Sequence, residues 1–157
     1  MKKLKIYLDT TIISFLYAED APEKMAITKE FWKMAVESKF EIVFSQVTLR
    51  EVLRCSEPKR SIMTDFLQQI DYRVFELNEE MLVLAEKYVA EGLIPEKYKD
   101  DAFHLAAATV DNCDIVLSWN FTHIVKAKTI FGVNGVNNMV GYRHIEIMSP
   151  ESLTEVD

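Results

Sequence analysis

Short strand-like runs alternate with longer helical stretches along almost the entire chain, and this alternation limits the possible fold more than any other feature. Runs rich in β-branched, aromatic and aliphatic residues predict strands at 5–9, 41–45, 72–77, 114–118 and 144–147. Strands that alternate with helices form β-α-β units, in which consecutive strands are parallel. We therefore predict an α/β fold, a three-layer αβα sandwich with a mainly parallel sheet of roughly five strands.

Helical periodicity and end signals predict the helices between these strands. They are expected at 11–18, 22–39, a segment containing Leu49, Val52 and Leu53, 58–70, 79–91, and a segment that begins at Asp100 or Asp101. Asn78 is a predicted helix cap, Gly92 a predicted helix end, and Asn134-Gly135 a predicted turn. Because the chain has no linker, internal repeat or low-complexity segment, residues 1–157 are predicted to form a single domain.

Composition narrows the class of protein and its location. The 157 residues are 49% hydrophobic, which is enough for a buried core, and the formal net charge is -7. Such an acidic chain cannot coat nucleic acid non-specifically, so any polyanion must be bound locally. Cys55 and Cys113 lie far apart and outside any CxxC pattern, which fits a reducing compartment. No stretch resembles a signal peptide or a membrane span, so we expect a cytoplasmic protein that does not bind membranes.

Polar side chains stand where the predicted strands lead into helices. Asp9 follows the first strand, Glu51 lies in the helix after the second, Asp101 begins an alanine-rich helix, and Asn120 follows the fourth strand. The carboxyl ends of parallel strands meet at one edge of the sheet, where α/β proteins bind their ligands. These four residues can therefore share one cleft, although Asp9 taken alone is equally consistent with a helix cap.

The mutual repulsion of these carboxylates predicts a metal ion. Two carboxylates about 4 Å apart repel by roughly 4 kcal/mol at an effective dielectric constant near 20. A cluster of three would take up protons unless a cation were bound. Oxygen ligands of this kind suit Mg²⁺ or Mn²⁺, with water completing the coordination shell.

The same segments resemble the motifs of the PIN domain family. Residues 7–12 (YLDTTI), 45–52 (SQVTLREV) and 101–108 (DAFHLAAA) are similar to its first three acidic motifs, in the family's order. Residues 114–121 (DIVLSWNF) resemble the fourth motif, a strand followed by Thr/Ser-x-Asp, with Asn120 where the acid usually stands. The resemblance implies a PIN-like fold and a metal-dependent endoribonuclease that hydrolyses RNA phosphodiester bonds. It also implies the role of toxin in a type II toxin–antitoxin pair of the VapC kind.

The resemblance further implies a role for each residue of the site. Asp9 and Asp101 would be direct metal ligands, and Glu51 would hold a water molecule of the ion or a second ion. Asn120 would contribute its amide oxygen, directly or through water. Because Asn120 in place of the acid removes one negative charge, we expect the site to bind an ion more weakly. We also expect binding of a second ion to be less favoured.

Neighbouring residues have secondary or alternative roles. The hydroxyls of Thr10, Thr11 and Ser118 are expected to hydrogen-bond to the carboxylates and orient them. Asp100 points about 100° away from Asp101 around a helix, and we prefer Asp101 as the ligand because the residues after it match the family pattern. His104 follows Asp101 by three positions, and His123 follows Asn120 by three. We expect both histidines to be packing or hydrogen-bonding residues rather than site residues.

Other classes fit the sequence less well. A phosphatase of the haloacid dehalogenase type needs a second Asp at the position of Thr11, and a response-regulator receiver needs an acceptor Asp where the third strand ends in Leu77-Asn78. The open alternative is an inactive PIN-fold module that only binds, with Asn120 as a mark of the lost activity.

The expected partners are an RNA substrate, an antitoxin protein and a second copy of the chain in a homodimer. The amphipathic stretches 22–39 and 58–70 could form a groove for an antitoxin helix or a dimer face, and they could equally serve the core.

Overall fold

The computed structural model describes residues 2–154, so the ends of the predicted domain, residue 1 and residues 155–157, lie outside the described residues. The strands are β1 (Leu4–Leu8), β2 (Phe40–Ser45), β3 (Tyr72–Phe75), β4 (Ile115–Leu117) and β5 (Glu146–Met148). The helices are α1 (Thr10–Ser14), α2 (Pro22–Val36), α3 (Gln46–Arg54), α4 (Lys59–Leu67), α5 (Glu79–Ala90), α6 (Lys99–Val110) and α7 (Ala127–Val140). Short 3-10 helices cover Glu96–Tyr98 and Pro150–Ser152.

The five strands form one parallel sheet in the order β3-β2-β1-β4-β5, which confirms the predicted α/β class. In the central strand, Ile6 is in register with Ile42 of β2 and Ile115 of β4. The chain moves outward from β1 through β2 to β3, then crosses to the other side of β1 and adds β4 and β5. The winding direction therefore reverses between β1 and β4, and ligands of such sheets bind outside the carboxyl ends of the strands at this point.

Both faces of the sheet are buried. Ile6, Tyr7 and Leu8 are consecutive residues of β1, and none of them is exposed. Successive side chains of a strand point to opposite faces, so helices must cover the sheet on both sides. This arrangement is the three-layer sandwich predicted from the alternation of strands and helices.

The alanine-rich sequence of α6 lets this helix pack closely on its neighbours. Ala102, Ala106, Ala107 and Ala108 are fully buried, and α6 contacts α5, β2 and β4. Small side chains permit a short distance between a helix and the layer beneath it. The packing places the first turn of α6, which carries Asp101, near the carboxyl end of the central strands.

The turn predicted at Asn134-Gly135 is wrong, because both residues lie inside α7. Val133 and Val136 are buried on the inner side of this helix, and their packing outweighs the poor helix propensity of the adjacent glycines. Gly132 has a packing role: a Cβ atom at this position would lie 2.2 Å from Cδ2 of Leu93. The predicted helix end at Gly92 is confirmed, since α5 ends at Ala90 and Gly92 has φ +75°.

The side chain of Asn134 contacts the start of the edge strand β5. Its Nδ2 donates to the carbonyl oxygen of Ile145 at 3.0 Å, and its Oδ1 accepts from the backbone N–H of Ile145 at 2.8 Å. On the other side of this strand, the N–H of Glu146 donates to the carbonyl of Asp114, next to β4. The amide of Asn134 therefore satisfies a backbone pair that points away from the sheet.

Several helix ends differ from the prediction by a few residues. The most marked case is α1, predicted over 11–18 but ending at Ser14, with Phe15 as its C-cap.

Among the helices of residues 2–154, none combines the length and apolarity that crossing a membrane would require.

Replacement of Ile6 by alanine should cost about 2–5 kcal/mol of unfolding free energy, because it leaves a cavity in the central strand between two covered faces. Leu82→Ala on the surface of α5, where Leu82 is 41% exposed, should cost less than about 1 kcal/mol. Urea unfolding of both variants measures the difference. Equal losses would contradict the central, doubly covered position of β1.

Candidate functional site

The carboxyl ends of β1, β2 and β4 lead into three segments that carry the predicted site residues. Asp9 follows β1 and caps α1, Ser45 ends β2 and caps α3, and Ser118 follows β4. The Ser45 side chain accepts a hydrogen bond from the N–H of Val47, which starts α3 directly at the end of the strand. Glu51 is thereby carried on the helix that leaves this edge of the sheet.

Asp9 is both a helix cap and a buried carboxylate at the reversal point of the sheet. It is 2% exposed, and its Oδ1 accepts from the backbone N–H of Thr11 at 3.0 Å and from the Thr11 hydroxyl. Its Oδ2 accepts from the hydroxyl of Ser118. Burial raises the pKa of Asp9 above its ordinary value, although the charge of His104 and these hydrogen bonds oppose the rise.

Glu51 faces the same region from α3. Its Oε1 accepts from the hydroxyl of Thr10 at 2.8 Å and lies 3.0 Å from Nε2 of His104. Burial raises the pKa of Glu51, but the hydrogen bond and charge of His104, together with the Thr10 bond, outweigh burial and leave the pKa below its ordinary value. Glu51 is therefore ionised at neutral pH.

His104 joins the central strand to α3 and α6. Its ring is 3% exposed, with Nδ1 2.7 Å from the hydroxyl of Tyr7 and Nε2 on Glu51. Burial lowers the pKa of His104, but Tyr7 and the carboxylates of Glu51 and Asp9 outweigh burial and hold the pKa well above its ordinary value. His104 is thus a positive centre among the acidic residues.

Asp101 lies one turn before His104 on α6. Its Oδ2 is 3.0 Å from Nδ1 of His123, whose ring stacks against Tyr98 at 4.2 Å between centroids. Burial raises the pKa of Asp101, the charges of His104 and His123 oppose the rise, and the charge of Glu51 adds to it. Asp101 and Glu51 line a common cleft of about 320 Å³ with residues 97–100. Asp100, the alternative ligand, also lines this cleft and is more exposed.

Asn120 uses its side chain within its own turn. Its Oδ1 accepts from the backbone N–H groups of Thr122 at 3.1 Å and His123 at 2.9 Å, and its own N–H donates to the Ser118 hydroxyl. The amide oxygen is therefore engaged by the backbone that carries His123. It positions the histidine that contacts Asp101.

Of the three predicted carboxylates, Glu51 contacts His104 directly, and Asp9 and Asp101 lie close enough for the charge of His104 to lower the pKa of both against the effect of burial. The Thr10 hydroxyl donates to Glu51. The hydroxyls of Thr11 and Ser118 donate to Asp9. Both histidines are hydrogen-bonding residues, as predicted, but the sequence did not show that their partners are Glu51 and Asp101. Their signal was present as the spacing of three residues from Asp101 to His104 and from Asn120 to His123, but a spacing does not show which way a ring points.

The donor chemistry suits a hard dication, whereas the side-chain orientations are those of a hydrogen-bonded network. Within residues 2–154, no group of three or more His, Cys, Asp or Glu side chains is arranged to hold one metal ion. Each of the three carboxylates instead contacts protein donors. These contacts use Oε1 of Glu51 and Oδ2 of Asp101, so the other oxygen of each carboxylate is the one that an ion would bind.

Together, fold and site define an open parallel α/β protein with an acidic cleft at the reversal point of its sheet. No family model matches the chain, and no curated protein matches it. Among solved structures it is similar to VapBC2 from Rickettsia felis, solved with a DNA fragment from its promoter, with 12% identity over 93% of this chain and 98% of that chain and a TM-score of 0.56. Tyrosyl-tRNA synthetase from Aeropyrum pernix is also similar, with 9% identity over 94% of this chain and a TM-score of 0.51.

These likenesses concern the fold. The chain spans 53% of the tyrosyl-tRNA synthetase chain and nearly all of the VapBC2 chain. The match to the synthetase lies within a larger protein, whereas the match to VapBC2 covers almost a whole chain. Two proteins with different names share this sheet, so the side chains at its carboxyl edge must decide the function.

Replacing Asp9 by asparagine should stabilise the protein in the absence of metal. Because the folded protein raises the pKa of Asp9, wild type loses stability as pH rises from the unfolded pKa to the folded one. Asparagine has no charge to bury and caps a helix equally well. Thermal unfolding in EDTA should show Asp9→Asn above wild type near pH 7, with the difference vanishing below about pH 4.

The exposed Asp65→Asn on α4 is the matched control and should unfold like wild type at both pH values. A lower thermal unfolding midpoint for Asp9→Asn than for wild type near neutral pH would show that the ionised Asp9 stabilises the folded protein. This result would contradict a raised pKa of Asp9.

Proposed function

We propose that this chain is a divalent-metal-dependent endoribonuclease that hydrolyses RNA phosphodiester bonds and acts as the toxin of a type II toxin–antitoxin pair. The proposal rests on Glu51, which contacts His104 at 3.0 Å, and on Asp9 and Asp101, whose pKa values are both lowered, against the effect of burial, by the charge of the same imidazole. The resemblance of four segments to PIN motifs supports it, and the fold shared with a VapBC2 chain is consistent with it.

In this proposal, Asp9 and Asp101 hold Mg²⁺ or Mn²⁺ and Glu51 orients a water molecule beside it. A bound ion of this kind supplies positive charge that lowers the pKa of water and screens the phosphate. The chain supplies the orientation: Thr11 and Ser118 hold the Asp9 carboxylate, and Thr10 and His104 hold Glu51.

Two features of the chain weaken ion binding in this proposal. Asn120 contributes no charge, and its oxygen is already bonded to the N–H groups of Thr122 and His123. Asp101 also shares its charge with His123 through Oδ2, which leaves Oδ1 as the proposed ligand atom. We therefore expect a single ion of modest affinity.

The proposed partners are an antitoxin and a second copy of the chain. The predicted amphipathic stretches form α2 and α4, whose residues Trp32 and Phe66 meet edge-on at 6.3 Å. They line a groove of about 410 Å³, and the buried indole N–H of Trp32 has no acceptor within residues 2–154. Inhibition of RNA cleavage by the product of a small gene immediately upstream tests this pairing.

The alternative function is a binding module without catalysis. Its support is that every carboxylate of the site already contacts a protein donor and that no three ligands are set for one ion in the described residues. Titration with Mn²⁺ separates the two functions. A saturable site that Asp9→Asn abolishes favours the nuclease, and its absence favours the binding module.

RNA cleavage in Mn²⁺ or Mg²⁺ should be lost in EDTA and reduced at least about 100-fold by Asp9→Asn or Asp101→Asn, because each change removes a proposed ligand charge. Glu51→Gln should reduce cleavage as well. Rates are measured on a labelled single-stranded RNA.

The exposed Asp65→Asn should cleave at the wild-type rate and controls for general loss of charge. Cleavage that persists both in EDTA and in Asp9→Asn would remove the proposal.

A further inference from the structure

Two aromatic rings stand exposed beside the acidic site. Phe121 is 44% exposed and directly follows Asn120, and Tyr98 is 42% exposed and stacks on His123, the partner of Asp101. Other rings are exposed as well, Phe131 at 79% among them, so it is the position next to the site that distinguishes these two. Each lies one contact away from a residue of the site.

A lysine ammonium lies over each of these rings. Nζ of Lys24 is 5.3 Å from the ring centroid of Phe121, and Nζ of Lys97 is 5.6 Å from that of Tyr98. Neither ammonium forms an ion pair with a carboxylate of residues 2–154, whereas the neighbouring Lys99 pairs with two glutamates, Glu86 and Glu96. In a chain of net charge -7, two unpaired cations beside an acidic site are available to an anion.

The Phe121 ring is held in a fixed relation to Asp9. Trp119 contacts this ring edge-on at 6.0 Å, and its backbone N–H donates to the hydroxyl of Thr11, which itself donates to Asp9. The Trp119 indole N–H donates to Thr28 of α2 at 2.8 Å, one turn after Lys24. The ring and its lysine are thus positioned by the same contacts that orient the carboxylate.

An exposed ring with a cation above it suits one nucleotide. The ring face stacks a base, and the ammonium attracts the neighbouring phosphate. Only unpaired bases can stack in this way, so the ligand must be single-stranded. Since Lys24 also lies 5.6 Å from the rings of Phe15 and Trp119, its charge is held at the surface without a carboxylate partner.

We propose that the Phe121–Lys24 and Tyr98–Lys97 pairs are two nucleotide subsites, each of which stacks one base of single-stranded RNA beside the acidic cleft. The inference rests on the proposed ribonuclease function and names the form of its substrate. The subsites bind without base-specific hydrogen bonds, so they tolerate any sequence at these two positions.

Ring variants test the stacking directly. Phe121→Leu and Tyr98→Leu keep apolar bulk and remove the ring, while Tyr72→Leu removes an exposed tyrosine at the start of β3, the opposite edge of the sheet. Affinity for an unstructured oligoribonucleotide is measured by fluorescence anisotropy in EDTA, which prevents metal-dependent cleavage. Each site variant should bind about tenfold more weakly, and Tyr72→Leu should bind like wild type.

Lysine variants test the phosphate contacts. Lys24→Met and Lys97→Met keep the apolar stem, and Lys33→Met is the control at the other end of α2. The slope of log affinity against log salt concentration should fall by about 0.7 for each site lysine, the value for one phosphate of a single strand, and stay unchanged for Lys33→Met. A lysine that only packs on a ring would leave this slope unaltered.

The outcomes separate this inference from the proposed function. If both ring variants bind RNA like Tyr72→Leu while Asp9→Asn abolishes cleavage, the subsites are wrong, the nuclease stands, and the rings are free for a protein partner. If the ring variants lose affinity while no variant and no metal affects cleavage, the subsites stand and the nuclease is wrong. Wild type that fails to bind the oligoribonucleotide overturns the subsites, and thermal unfolding of each variant confirms its fold.

Discussion

Burial of the Asp9 carboxylate at the end of the central strand is the constraint on which the site depends. The ionised form of a carboxylate that is 2% exposed needs compensation, and three donors supply it: the N–H and hydroxyl of Thr11 in α1 and the hydroxyl of Ser118 after β4. These bonds attach the segment after β1 to the segment after β4. The turn that carries Asn120 and His123 begins at this attachment.

His104 connects a second set of elements at the site, β1, α3 and α6. Its ring connects Tyr7 of β1 with Glu51 of α3, and it is carried by α6 together with Asp101. Its positive charge lowers the pKa of both neighbouring aspartates, against the effect of their burial. The protein thus supplies part of the positive charge that balances these carboxylates.

The fold, and the segments that carry the candidate site residues, were predictable because they depend on patterns that are local in the chain. The alternation of strands and helices, the cap at Asn78 and the helix end at Gly92 each involve a few neighbouring residues, and the parallel sheet follows from them. The contacts of His104 and His123 were not predictable, since they join residues 53 and 22 positions apart whose rings are oriented by packing. The helical state of Asn134-Gly135 likewise depends on burial of Val133 and Val136 against the rest of the core, which no local pattern records.

The amide of Asn134 has a consequence for assembly. Edge strands invite another chain to add a strand, because their outward N–H and C=O groups lack partners. At β5 the first outward pair, that of Ile145, is already closed by a side chain that imitates a neighbouring strand. Addition of another strand is therefore blocked at the residue directly before β5.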